Sequence, residues 1–255
     1  MTDREPRAVP AQEIIESGFE GRITDIGNFD DCSYEQAARA VRSWRDQDVK
    51  VVYGLGGFDN LHNNHVVGLT RCRALGAMAV LEMEQATTSD DYKAIQLAAA
   101  NKTRMIISVD TDAALAKGKS RIMEKGGAPK PTLSWGNRAR GVAMQTMPLP
   151  DSNLYFPLVD FVTCHGQGSC ACCEDFGYED YCPTRRHRYN ILALQPDFVV
   201  SRDDLSSIPK LLSEKEQGNL PHTEFIFFEE GTGSYGDMYL EGEISATAIA
   251  KRIRS

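Results

Sequence analysis

Residues 51–65 read VVYGLGGFDNLHNNH: an apolar, β-branched run ends in Gly56 and Gly57, passes through Phe58 and Asp59, and reaches His62 and His65, three residues apart. The run reads as a buried strand, the glycine pair as a tight turn, and the histidines stand at the mouth of a helix. The other strands and helices have to be arranged around this unit. Backbone N–H groups and the positive end of the helix dipole converge where the strand ends, so the unit suits an anion. Glycines let a phosphate approach the backbone, and His62 and His65 would aim ring nitrogens at the same place. A second reading stands beside it: a surface or capping histidine pair, and a Gly-Gly that is only a turn.

With 255 residues, 42% hydrophobic and 25% charged, the chain has the composition of a soluble globular protein with one elaborated domain. No apolar run approaches the roughly 18 residues of a membrane span, and MTDREPRAVP lacks the apolar core of a signal peptide, so a cytoplasmic protein with no membrane partner is expected. The formal charge of -8 and pI near 5.2 speak against nucleic acid, which calls for a net basic face. A small anionic substrate needs only a few local cations. Seven cysteines without an export signal are expected to be reduced or metal-bound.

Residues 1 to about 22 show no sustained periodicity beyond a short turn of helix near Ile14, and residues 1–32 read as an N-terminal arm, with residues 33–255 forming the domain. In SYEQAARAVRSW, Ser33 and Gln36 make a capping box, and Tyr34, Ala37, Ala38, Val41 and Trp44 share one helical face. After the histidines, HVVGLTRCRALG reads as a helix with Gly76 as its stop, and residues 77–102 are more helix than strand. MIISV (105–109) is a buried strand ending in Asp110 and Asp112, followed by a Lys-Gly-Lys loop. Lys117 and Lys119 there are either a phosphate site or a solvated turn. A loop at 126–131, a helix at 137–147, a strand at 158–163, a helix at 189–194, strands at 197–200 and 224–228 and a final helix capped by Ser245 complete the pattern. Strands alternating with helices imply a mainly parallel sheet with ligands beyond its carboxyl edge.

Several blocks, in order, resemble the nucleotidylyltransferase superfamily with the (H/T)xGH signature. That group contains the glycerol-phosphate and ethanolamine-phosphate cytidylyltransferases and the ADP-heptose-forming adenylyltransferases. GGFDNLHNNHVVGLTRCRALG resembles GxFDxxHxGHxxxLxxAxxLG, and SVDTDAALAKGKS resembles the second-strand block with its Asp and lysines. LVDFV, QPDFVVSRDD and EISATAI resemble the VDxV block, the PD-led strand with its acidic pair and the terminal ISTTxI. The helix leading into KVVYGLGGFD resembles the ADP-heptose type. Departures are Asn64 for the glycine before the second histidine, Ala246 for a threonine, Arg202 within SRDD, and no arginine in YLEGEIS, which speaks against CTP. For Asn64, tolerance of left-handed geometry would make the exchange workable.

The resemblance implies an α/β, Rossmann-like fold of nucleotidylyltransferase type, a mainly parallel sheet flanked by helices. It implies that a phosphate oxygen of a sugar- or polyol-phosphate attacks the α-phosphate of ATP or CTP and releases pyrophosphate. His62, His65, Lys117 and Lys119 would be catalytic. Gly56, Gly57, Phe58, Asp59, Arg138, Asp203, Ser245 and Thr247 would bind the nucleotide, Arg138 being otherwise a surface residue. Mg²⁺ is expected with the phosphates, Asp59 and Asp203 being its nearest ligands, while Asp59 is equally read as capping the turn. A homodimer is common in the resembled family. A binder of nucleotide or metal on the same fold is the reading from another class.

Between LVDFV and the PD strand lies a Cys-rich insertion, about 164–188. Cys164, His165, Cys170, Cys172, Cys173, Cys182 and His187 exceed the four ligands of a structural Zn²⁺, though their spacing matches no standard zinc pattern. A zinc knuckle, free thiols and a redox switch are the alternatives. Cys32 and Cys72 read as core cysteines.

Overall fold

A computed structural model describes residues 34–112, 115–116, 132–165, 187–202 and 208–228. Helix α1 (Tyr34–Asp46) buries Ala37 and Val41, with Ala38 and Trp44 packed beside them, the face that the sequence spacing predicts. It lies against strand β1 (Lys50–Gly56). Helices α2 (Asn63–Val80) and α3 (Ser89–Asn101) then return the chain to β2 (Thr103–Asp110), which pairs parallel with β1 from Lys50 opposite Thr103 to Gly56 opposite Val109. A capping box starts α3: Thr88 Oγ1 accepts from the Asp91 N–H at 3.1 Å, and the Asp91 carboxylate accepts from the Thr88 N–H at 2.9 Å.

Helix α2 does not stop at Gly76. A Cβ at that position would lie 2.3 Å from Val52 Cγ2, so the glycine is there because the helix crosses β1 too closely for any side chain. Helix α4 (Trp135–Ala143) ends four residues before the predicted 147, and a small antiparallel hairpin, β3 (Thr146–Pro148) with β4 (Tyr155–Pro157), follows. Pro148 cannot continue a helix. Strand β5 (Phe161–His165) starts three residues later than predicted, because Leu158 and Val159 are buried in the link before it. Helix α5 (His187–Leu194), β6 (Phe198–Arg202), helix α6 (Ile208–Glu216) and β7 (Glu224–Phe228) complete the described chain. Helix α6 has no counterpart in the sequence reading.

The five-stranded sheet has the order β5-β2-β1-β6-β7, all pairs parallel. One face packs Met105, Ile107 and Val52 against α2, α3 and α4; the other packs Val51, Tyr53 and Ile106 against α1, α5 and α6. This is a Rossmann-like α/β fold, and its order turns back between β1 and β6. In such sheets the crevice beyond the carboxyl ends at the turning point takes the ligand.

Two aspartates hold the opposite, amino edge. Asp197 accepts from the Val51 N–H and Asp160 from the Met105 N–H, each at 2.8 Å. An amide near the start of β1 and one near the start of β2 are therefore satisfied by the residues that precede β6 and β5. Asp160 also pairs with Arg73, a guanidinium buried in α2 that donates to the carbonyls of Ala99 and Thr103 and lies 5.9 Å from the Phe156 ring.

Candidate functional site

The chain must turn from the end of β1 into α2 over residues 57–62, and it does so with Phe58 at φ 50° and Asn60 at φ 54°. Left-handed geometry at two non-glycine residues costs about 1–3 kcal/mol each and persists only when the surroundings fix it. Here they do. The Phe58 ring is buried and folds back on Gly56, where a Cβ would meet Cε2 at 2.8 Å. Leu115 takes the matching space beside Gly57. The glycines thus make room for the protein's own side chains. Asp59 is buried, and its Oδ1 accepts from the Thr132 N–H at 2.9 Å, the Thr132 hydroxyl at 2.8 Å and the Leu133 N–H at 3.2 Å.

His62 is the N-cap of α2, in extended conformation, and its carbonyl accepts from the His65 N–H at 2.9 Å and the Val66 N–H at 3.2 Å. One turn apart, the two rings stack with centroids 4.0 Å apart and planes inclined by 26°. Phe58 lies 5.4 Å from the His65 ring. Burial lowers the His62 pKa below the ordinary 6.5, so its imidazole is neutral at pH 7, offering one N–H and one lone pair. His62 Nδ1 is shielded from solvent without a hydrogen-bond partner. The first turn of α2 carries no acidic residue, and a helix leaves its leading N–H groups without intrahelical acceptors. Asn64 lies inside this turn, so no left-handed conformation is asked of it.

Arg138, on α4, is not a surface residue. It is 1% exposed, and it donates from Nε to the Leu133 carbonyl at 3.1 Å, from Nη1 to the Gly57 carbonyl, and from Nη2 to the Asp110 carbonyl and Asp112 Oδ1 at 2.7 Å each. The structure thus brings together Gly56, Gly57, Phe58, Asp59, His62, His65 and Arg138. Asp112, at the end of the second strand as the sequence suggests, and Thr132 and Leu133, which the sequence does not single out, complete the group. The signal of Thr132 and Leu133 is absent from local sequence because each acts on a loop distant in the chain.

Lys117, Lys119, Asp203, Ser245, Thr247, Cys170, Cys172, Cys173 and Cys182 lie outside the described residues, as do Ser33 and Cys32. Cys164 and His165 end β5, opposite Val109 and Asp110 of β2. Among the described residues no group of three or more His, Cys, Asp or Glu converges as a metal site, and no helix is long and apolar enough to cross a membrane. Cys72 is a core thiol, its pKa pushed up to about 12 by burial.

No protein-family model and no curated protein matches the chain. A solved structure does. The lipopolysaccharide core biosynthesis protein from Thermoplasma volcanium GSS1 is similar at a TM-score of 0.37 and 12% identity, over 72% of this chain and 98% of that one.

A histidine pair at a helix N-terminus, on the carboxyl edge of a parallel sheet, can donate hydrogen bonds to an anionic group, and the lowered pKa of His62 lets that member do so without adding a charge. The geometry suits phosphate oxygens.

Proposed function

We propose that this chain is a nucleotidylyltransferase that transfers the nucleoside monophosphate of ATP or CTP to a sugar- or polyol-phosphate with release of pyrophosphate. The observation that carries this reading is the stacked His62–His65 pair at the start of α2, where the strand order reverses between β1 and β6. An acceptor phosphate oxygen attacks the α-phosphorus, its new P–O bond forms as the bond to the bridging oxygen breaks, and pyrophosphate leaves. No side-chain nucleophile is needed; orientation and donors aimed at the developing charge supply the rate. His62 and His65 donate to the phosphate oxygens, and Lys117, Lys119, Ser245 and Thr247 would complete the cradle.

Asp59 caps the turn through Oδ1, which takes three donors from residues 132 and 133, so as a metal ligand it would act through its second carboxylate oxygen. Mg²⁺ would enter on the triphosphate that it neutralises. The Cys-rich insertion would bind a structural Zn²⁺, and metal content measured on the purified chain tests that reading. Pyrophosphate release with ATP or CTP, Mg²⁺ and a panel of sugar- and polyol-phosphates tests the activity. Release by the wild type that is lost in His65→Ala supports it; a binder of nucleotide would release none.

A further inference from the structure

The four bonds of Arg138 nearly exhaust the five N–H groups of a guanidinium, which leaves little with which to clamp a phosphate. Their acceptors come from three separate stretches. Gly57 belongs to the turn that delivers His62, Asp110 and Asp112 stand at the carboxyl end of β2, and Leu133 precedes α4. Asp59, two residues past Gly57, grips Thr132 and Leu133 from the other side. Leu61 completes the seam, its Cδ2 3.7 Å from where a Cβ at Gly141 of α4 would stand. The turn that holds Phe58 and Asn60 in left-handed geometry is therefore fastened to α4 through Gly57, Asp59 and Leu61, on one side of the histidines.

We propose that Arg138 is a positioning residue: by tying the Gly57 turn to the end of β2, it sets the place and orientation of the His62–His65 pair, and it does not itself touch the nucleotide. The assignment rests on the proposed transferase site, since what is positioned is that site's donor pair. A lysine in its place keeps the charge but gathers its donors on one nitrogen, and so cannot span carbonyls on three stretches. Asp112 is the accessible end of the clamp, its side chain 48% exposed, whereas Arg138 is closed in.

The test uses the full chain. In Arg138→Lys, imidazole NMR signals titrated between about pH 5 and 8 report the histidines. His62 is expected to titrate closer to the ordinary 6.5 than in the wild type, as its ring loses its half-buried seat. The kcat for pyrophosphate release is expected to fall about 10²-fold with KM for the nucleotide little changed, as misplaced catalytic groups do. An unaltered His62 titration in a folded Arg138→Lys overturns the proposal. So does a raised KM at unchanged kcat, which would make Arg138 a phosphate ligand. If Arg138→Lys does not fold, Asp112→Ala, which removes that acceptor, decides by the same titration, a wild-type curve again counting against it. Because the titration needs no nucleotide, a wild type that releases no pyrophosphate would defeat the proposed function and still leave the positioning role to be judged.

Discussion

Arg73 and Arg138 are both buried arginines, 1% exposed, both donating to backbone carbonyls and to one aspartate, and they stand at opposite edges of the same sheet. Arg73 joins α2, the end of α3 and Asp160 at the amino edge, with its counter-charge largely enclosed, the Asp160 side chain being 13% exposed. Arg138 joins loops at the carboxyl edge, and half of its counter-charge, Asp112, faces solvent. Burial pushes the Arg73 pKa down, and Asp160 beside it offsets part of that shift. One clasp ties α2, well past the histidines at its start, to the end of α3 and to Asp160 before β5. Its counterpart holds a strained turn that carries the histidines. The same chemistry is used for stability at one edge and for geometry at the other.

Breaking the amino clasp should have the largest effect on stability. Arg73→Met takes from Asp160 its buried cation, leaving it the Met105 N–H and the more distant Arg104, and should cost about 3–5 kcal/mol, as broken buried pairs do. At about 2–4 °C per kcal/mol, thermal melting should fall by roughly 6–20 °C while the His62 titration of the folded protein stays as in the wild type. A shifted titration would erase the distinction between the two edges. At the carboxyl edge His65→Ala should reverse the balance. Pyrophosphate release should fall about 10²–10³-fold, the scale of a lost transition-state donor, with melting nearly unchanged.

Asp59→Ala should fall between these. It strands the Thr132 and Leu133 N–H groups and should cost about 1–3 kcal/mol. Hydrogen exchange at those two amides should quicken more than at Met105, and equal quickening would mean that Asp59 serves the fold at large. The smallest effect is that of His62 itself. Its folded pKa is depressed, so between that value and 6.5 the unfolded chain binds more protons, and stability should rise with pH through that window and level off above it. His62→Gln should flatten this slope in pH-dependent melting.

The strands at 51–55, 105–109 and 224–228 were legible because buried parallel strands are continuous apolar runs, and α1 because its apolar spacing is helical. What failed to read has a common physical cause. Gly76 looks like a helix stop, and only Val52 on another element explains it. Residues 146–148 continue a helical pattern until Phe156, from β4, pairs with Met147. The aspartates of VDFV and QPDF are conspicuous in sequence, yet their amide partners, Met105 and Val51, lie on neighbouring strands. The histidine pair was legible because helix spacing alone brings its rings together. Arg138 was legible as a charge only, since its acceptors come from stretches far apart in the chain.

The central claim is that the His62–His65 pair faces a nucleotide, and thermal unfolding with Mg²⁺ and each of ATP, CTP, GTP and UTP tests it most directly. A nucleotide at about 100 times its Kd adds about 2.7 kcal/mol, roughly 5–10 °C at this size. The account predicts that rise for ATP or CTP in the wild type and its loss in the His62→Ala, His65→Ala double variant. An equal rise in both proteins, or none with any nucleotide, would contradict it.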